Sequence, residues 1–123
     1  MIPKYRVWDK ELQTMLDVSL IDFKKGVLVG EHWKFGETNF MSFDEIELMQ
    51  STGLFDKNGK EIFEGDIVRF FDSLYTVFYD IEEGSYRLKP HDDRWVVDYM
   101  SNFSSEESFE IIGNIYENKE QLW

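Results

Sequence analysis

Cysteine is absent from this 123-residue chain, and histidine nearly so, with only His32 and His91. The first absence excludes a disulfide framework and a thiolate metal centre. The second removes the commonest general base and metal ligand, so most nucleophile–base arrangements lack their parts. Nor is there a G-x-S-x-G, P-loop, H-E-x-x-H or dinucleotide-binding glycine fingerprint. No apolar run approaches the length of a membrane-spanning helix, and the opening MIPKYRVWDK has no signal-peptide core. These absences predict a non-catalytic protein of the cytoplasm, with no membrane partner, no cofactor and no metal. Cations are scarce too: 13 Lys and Arg stand against 25 Asp and Glu, for a net charge of −12. Displacing the counterions of a phosphate backbone takes lysine and arginine, so this balance works against nucleic-acid binding. It suits a basic protein partner, a mimic of DNA, or plain solubility.

Aromatics, by contrast, are abundant, with 11 Phe, 6 Tyr and 4 Trp. A small core cannot hide all of them, and the remainder predicts a contact surface. Apolar residues make up 42% of the chain, enough for one domain of this length to bury its own core.

The hydrophobic pattern has period two almost throughout. Tyr5 to Trp8 reads as a short strand before a polar turn at Asp9-Lys10-Glu11. Leu16, Val18 and Leu20 alternate, and the phase then slips at Ile21 and Phe23, which predicts a bulge or a strand end. Lys24-Lys25-Gly26 turns the chain into Val27-Leu28-Val29, so 16–33 reads as a hairpin. Gly30 to Asn39 reads as a loop. From 42 to 50 the chain fits either a short helix capped by Ser42 or Asp44, or a strand through Ile46 and Leu48. Further on, Leu74 to Tyr79 carries large side chains on both faces, and Glu82-Glu83-Gly84 leads into Tyr86 and Leu88. Trp95, Val97 and Tyr99 make another alternating run, Ser104-Ser105-Glu106-Glu107 a short helix start, and Phe109 to Ile115 a last strand. Many short strands with turn signals between them predict a small β-barrel rather than a parallel sheet. The expected division is an N-terminal β-rich extension over 1–50 and a barrel over 51–123, with short helical turns, together forming one compact unit.

The densest turn chemistry lies in TGLFDKNGKEIFEGDIV, residues 52–68. Asn58-Gly59 predicts a type I′ hairpin, in which both central residues take positive φ. Gly65-Asp66 then hands the chain to a strand at Ile67-Val68. Glu64 and Asp66 resemble an acid–base pair, but a surface turn supplies neither burial nor a cleft. Asp56-x-Asn58-Gly59 lacks the later ligands of a calcium loop. His91-Asp92-Asp93 reads as a solvated loop rather than a metal site, because neighbours on a strand point to opposite faces.

This segment closely resembles the signature of the YopX family, small proteins of phages and prophages in Gram-positive bacteria. The resemblance is carried by Met49-Gln50, Thr52-Gly53-Leu54, Asp56 to Ile62 and Glu64 to Val68. It continues at Ile111 to Asn118 and in the opening Tyr5-Arg6-Val7-Trp8-Asp9. One departure is Phe55, where the family more often has lysine. The resemblance implies a mainly β fold with a small SH3-like barrel, and no enzyme activity. Gly53, Asp56, Asn58, Gly59, Gly65 and Asp66 then form a structural turn motif. Trp33, Phe55, Tyr75 and Tyr79 are the candidate interaction surface.

The function expected is a phage- or prophage-encoded binding module for a host or phage protein in the bacterial cytoplasm. Its exposed edges and surplus aromatics also admit a homo-oligomer. Two alternatives stand beside it. One is an acidic DNA mimic that inhibits a host nucleic-acid-binding protein. The other is single-stranded nucleic-acid binding through the aromatics, for which Lys4, Arg6, Lys10, Lys24 and Lys25 offer the cations.

Overall fold

A computed structural model describes residues 4–32, 38–92, 98–99 and 109–118. The chain divides into two compact units, Met1–Gln50 and Ser51–Trp123. Both are built of antiparallel strands, and the described residues contain one turn of 3-10 helix besides. The protein is thus mainly β, with two antiparallel sheets.

The first unit holds β1 (Tyr5–Asp9), β2 (Thr14–Asp22), β3 (Val27–Glu31), β4 (Thr38–Ser42) and the start of β5 (Ile46–Phe55), in the order β4-β3-β2-β1-β5. Its core comprises Val7, Leu16, Leu28, Met41 and Ile46, with Val18, Ile21, Phe43 and Leu48 packed against them. The slip in hydrophobic phase along β2 is a bulge. Pairing with β3 shifts register between Val18 and Leu20, so that Ile21 pairs with Leu28 while Leu20 pairs with Val29 on the other face. The Gly30–Asn39 loop expected from sequence is shorter than that. Gly30 belongs to β3, Asn39 belongs to β4, and the two pair directly. Residues 42–50 take both forms left open. Ser42 Oγ accepts the Asp44 N–H at 3.3 Å to cap a 3-10 turn over Phe43–Glu45, and β5 begins at Ile46.

In the second unit the end of β5 pairs with β6 (Glu61–Phe63). The other sheet runs β10-β9-β8-β7-β11, with β7 at Asp66–Phe70, β8 at Ser73–Asp80, β9 at Ser85–Pro90, β10 at Asp98–Tyr99 and β11 at Phe109–Asn114. The helix start expected at Ser104, and Trp95 and Val97, lie outside the described residues. Cross-strand partners explain this core. Ile111, Val68 and Tyr75 stand side by side on three strands, and Val77 faces Leu88 on the next pair. Ile62 and Phe109 complete the buried cluster.

One loop design recurs along the chain. Asp9, Asp22, Asp80 and Asn114 each end a strand, and the side-chain oxygen of each accepts two backbone N–H bonds, from the residues two and three places on. The residue four places on donates its N–H to the carbonyl of the same Asp or Asn at 2.8–3.0 Å. That closing residue has positive φ at Gly26 (+70°) and Gly84 (+64°), but also at Gln13 (+56°). A side chain in left-handed conformation costs about 1 kcal/mol, which glycine avoids at some expense in unfolded-chain entropy. Gln13→Gly is therefore expected to stabilise the protein by about 0.5 kcal/mol in urea denaturation. A loss instead would mean that the bond from Gln13 Nε2 to the Lys10 carbonyl, at 2.8 Å, outweighs the backbone relief.

Candidate functional site

Two stretches that carry the family-like signature, 52–68 and 111–118, are bonded to each other in the second unit. Asp56 is the centre of this arrangement. Although its residue is only 4% exposed, its carboxylate accepts three backbone N–H bonds. Oδ1 takes those of Asn58 and Lys60, each at 2.9 Å, and Oδ2 takes that of Ile111 on β11 at 3.0 Å. Lys57 N–H adds a bond to the Phe109 carbonyl at 2.9 Å. Burial opposes ionisation of Asp56, yet the bonds from Ile111, Lys60 and Asn58, with the Lys60 charge, hold its carboxyl below the usual range.

The turn itself differs from the type I′ expectation. Gly59 has φ +81°, but Asn58 does not have positive φ. Gly59 N–H donates to the Asp56 carbonyl at 3.0 Å, and Asp56 N–H donates to the Lys60 carbonyl at 2.7 Å. This is a three-residue loop closed by a glycine bulge. The reason lies in Asp56: bonding the N–H two residues on holds Asn58 at negative φ, and Gly59 alone makes the reversal.

The Gly65-Asp66 pair is tied in the same way. Gly65 has φ +85°, its N–H donates to the Val77 carbonyl at 2.8 Å, and its carbonyl accepts Ile115 N–H at 2.9 Å. Asp66, 1% exposed, accepts Phe63 N–H at 2.8 Å and pairs with Asn114 across β7 and β11. Beside Asn114, a Cβ on Gly113 would stand 2.7 Å from Asn118 Cγ, so a close approach fixes that glycine. Near Gly53, the Ser51 hydroxyl donates to the Glu61 carboxylate and accepts Gly53 N–H at 3.0 Å. Gly53, Asp56, Asn58, Gly59, Gly65, Asp66 and Gly113 thus each have a hydrogen-bonding, steric or conformational duty within the fold.

The Arg87–Asp80 and Arg69–Glu110 ion pairs join adjacent strands. Arg87 holds the Asp80 carboxyl below its usual range through a 2.9 Å bond, and Arg69 does the same for Glu110 at 2.7 Å, with help from Lys57 at 3.4 Å. His91 Nε2 lies 2.8 Å from Thr76 Oγ1.

Three of the four aromatic candidates lie among the described residues. Trp33 lies outside the described residues. Tyr75 is a core residue, 8% exposed, because the β7–β8 register places it opposite Val68 and the inward face of β8 continues through Val77. Its place in the interaction surface is corrected on that ground. Phe55 and Tyr79 do remain exposed, at 43% and 42%. Tyr79 stands edge-on to Tyr86, its partner across β8 and β9, with ring centroids 5.1 Å apart.

More apolar surface is exposed elsewhere. Leu20, Val29 and Phe40 stand side by side on β2, β3 and β4, and Val29 is buried between two exposed neighbours. Phe40 is 84% exposed and Leu20 57%. The phase slip at Ile21 is the signal for Leu20. Phe40 had none, since its strand is bordered by residues read as loop. Phe71, which is not among the four candidates, opens a two-residue hairpin loop at φ +55°, 79% exposed, in a conformation that large side chains avoid.

These observations define an all-β protein of two units whose signature residues hold turns against strands. No helix among the described residues is long and apolar enough to cross a membrane. Residues 4–123 match the model of the YopX protein family, and the chain belongs to that family. It is similar to protein EF1440 from Enterococcus faecalis, whose crystal structure superposes with a TM-score of 0.68 at 29% identity, over 100% of this chain and 99% of that one. No curated protein matches the chain.

Proposed function

We propose that this is a phage- or prophage-encoded, non-catalytic protein-binding module of the bacterial cytoplasm, with an SH3-like barrel in its second unit as scaffold. The observation that carries the reading is the exposure of Leu20 and Phe40, which flank the buried Val29 across three adjacent strands, in a chain with net charge −12. Large apolar side chains exposed near one another on a sheet mark contact surfaces, whereas single ones are ordinary. The acidic residues favour this reading over DNA mimicry. Asp9, Asp22, Asp56 and Asp80 spend their carboxylates on backbone N–H groups within the fold, not as a phosphate-like array.

The test is an affinity pull-down from Gram-positive host lysate, with and without nuclease, comparing the natural chain with Leu20→Lys. The expected result is a nuclease-resistant protein partner lost from the variant. Recovery of nucleic acid alone, or of no protein partner including the chain itself, overturns the reading.

A further inference from the structure

Strand β4 is the outer strand of its sheet among the described residues. Natural edges are blocked by lysine, proline, a bulge or a covering segment. The Thr38–Ser42 strand carries no charge and no proline, and its register against β3 runs unbroken from Thr38 to Ser42. The direction of its backbone groups follows from one bond. Phe43 N–H donates to the Gly26 carbonyl at 2.9 Å, and antiparallel ladders alternate bonded with non-bonded pairs. Counting back, Met41 and Asn39 turn their backbone groups to β3, while Thr38, Phe40 and Ser42 present theirs on the far side.

We propose that this far side pairs with β4 of a second copy of the chain, antiparallel about a two-fold axis at Phe40. This deepens the binding-module reading and rests on it, since Phe40 is one of the two exposed apolar residues that carry it. The strand is self-complementary: Phe40 meets its own counterpart, with the N–H and carbonyl of each facing those of the other, and Thr38 meets the counterpart of Ser42, whose carbonyl, at the N-cap, also accepts the first bond of the 3-10 turn. An aromatic pair directly across two strands is a stabilising contact. Charge selects the occupant. Two chains of −12 repel wherever their carboxylates meet, and the residues of β4 form an uncharged strip where they do not. A basic peptide, by contrast, would find no carboxylate on this strand to pair with.

Sedimentation velocity of the whole chain tests the proposal, over concentrations up to about 100 µM at low and moderate salt. A species with twice the mass of one chain is expected, and its association should tighten several-fold between about 20 mM and about 300 mM salt, because screening removes the acid–acid repulsion. Phe40→Lys sets two ammonium groups opposite each other and should weaken association at least tenfold. At dilutions where the natural chain is monomeric, the variant's thermal melt should match that of the natural chain, since Phe40 is 84% exposed. In the natural chain, amide exchange at Thr38, Phe40 and Ser42 should slow as concentration rises.

A monomer at every concentration and salt overturns the proposal, as does a dimer indifferent to Phe40→Lys or one that loosens with salt. The two readings also separate. A monomer that still captures a lysate protein through Leu20 defeats the dimer and leaves the binding module standing. A dimer that captures nothing else keeps the β4 pairing and removes the adaptor role.

Discussion

Asp56→Ala is expected to destabilise the protein by about 3 kcal/mol at neutral pH, the larger part of it from N–H groups left without an acceptor. The carboxylate serves Asn58 and Lys60 within the turn, where water can replace it in part, and Ile111 on β11, where replacement is harder. Asp56→Asn should recover little, since an amide oxygen replaces only one of two acceptors and its NH2 group would face a donor. The pH dependence fixes the sign. The carboxyl is held below its ordinary value of 3.8 in the folded protein, so the unfolded chain binds its proton first as pH falls. The stabilisation is therefore full above the unfolded pKa and is lost as pH drops through the folded one. Urea titrations of the natural chain and Asp56→Ala should differ by a constant amount from neutrality down to about pH 5, then converge below about pH 4. A gap that stays constant to pH 2 would show that the carboxylate charge contributes nothing to the staple.

Leu88→Ala should have an effect of similar size by a different route. Leu88 is fully buried at 0% exposure, faces Val77 across β8 and β9, and belongs to the cluster with Ile62, Val68 and Phe109. Truncation removes apolar burial and leaves a cavity, together about 3 kcal/mol. Calorimetry should show the melting temperature lowered by about 10 °C, with no convergence toward the natural chain at low pH. Leu20→Ala, at an exposed site, should change stability by less than about 0.5 kcal/mol. Equal losses at positions 88 and 20 would contradict the burial assigned here.

The two sites were legible in the sequence to different degrees. Val77 and Leu88 stand on period-two runs, and such runs identify strands without tertiary information. The turns were legible too, since Asp-x-x-x-Gly and Asp-x-Asn-Gly announce a chain reversal. The partner of Asp56 was not, because Ile111 lies 55 residues away and its N–H has no sequence mark. Tyr75 failed for a related reason: both faces of β8 carry large side chains, and only the register with β7 shows which face is inward. Phe40 was hidden by context, since Thr38 and Asn39 resemble loop residues until Gly30 is found opposite them. Local chemistry was readable, and long-range pairing was not.

The recurrent five-residue loops imply an order of assembly. Each one at Asp9, Asp22 and Asp80 closes on itself, with every bond reaching four residues or fewer, so the hairpins they join need little chain entropy to nucleate. The bond from Ile111 to Asp56 instead closes a loop that contains β6 to β10, and it gains nothing until those strands are in place. Removing the Asp56 carboxylate should accordingly appear mostly as faster unfolding, with refolding nearly unchanged. The residues that mark the family would then be the latch of the fold, closing last and governing how long the native state lives.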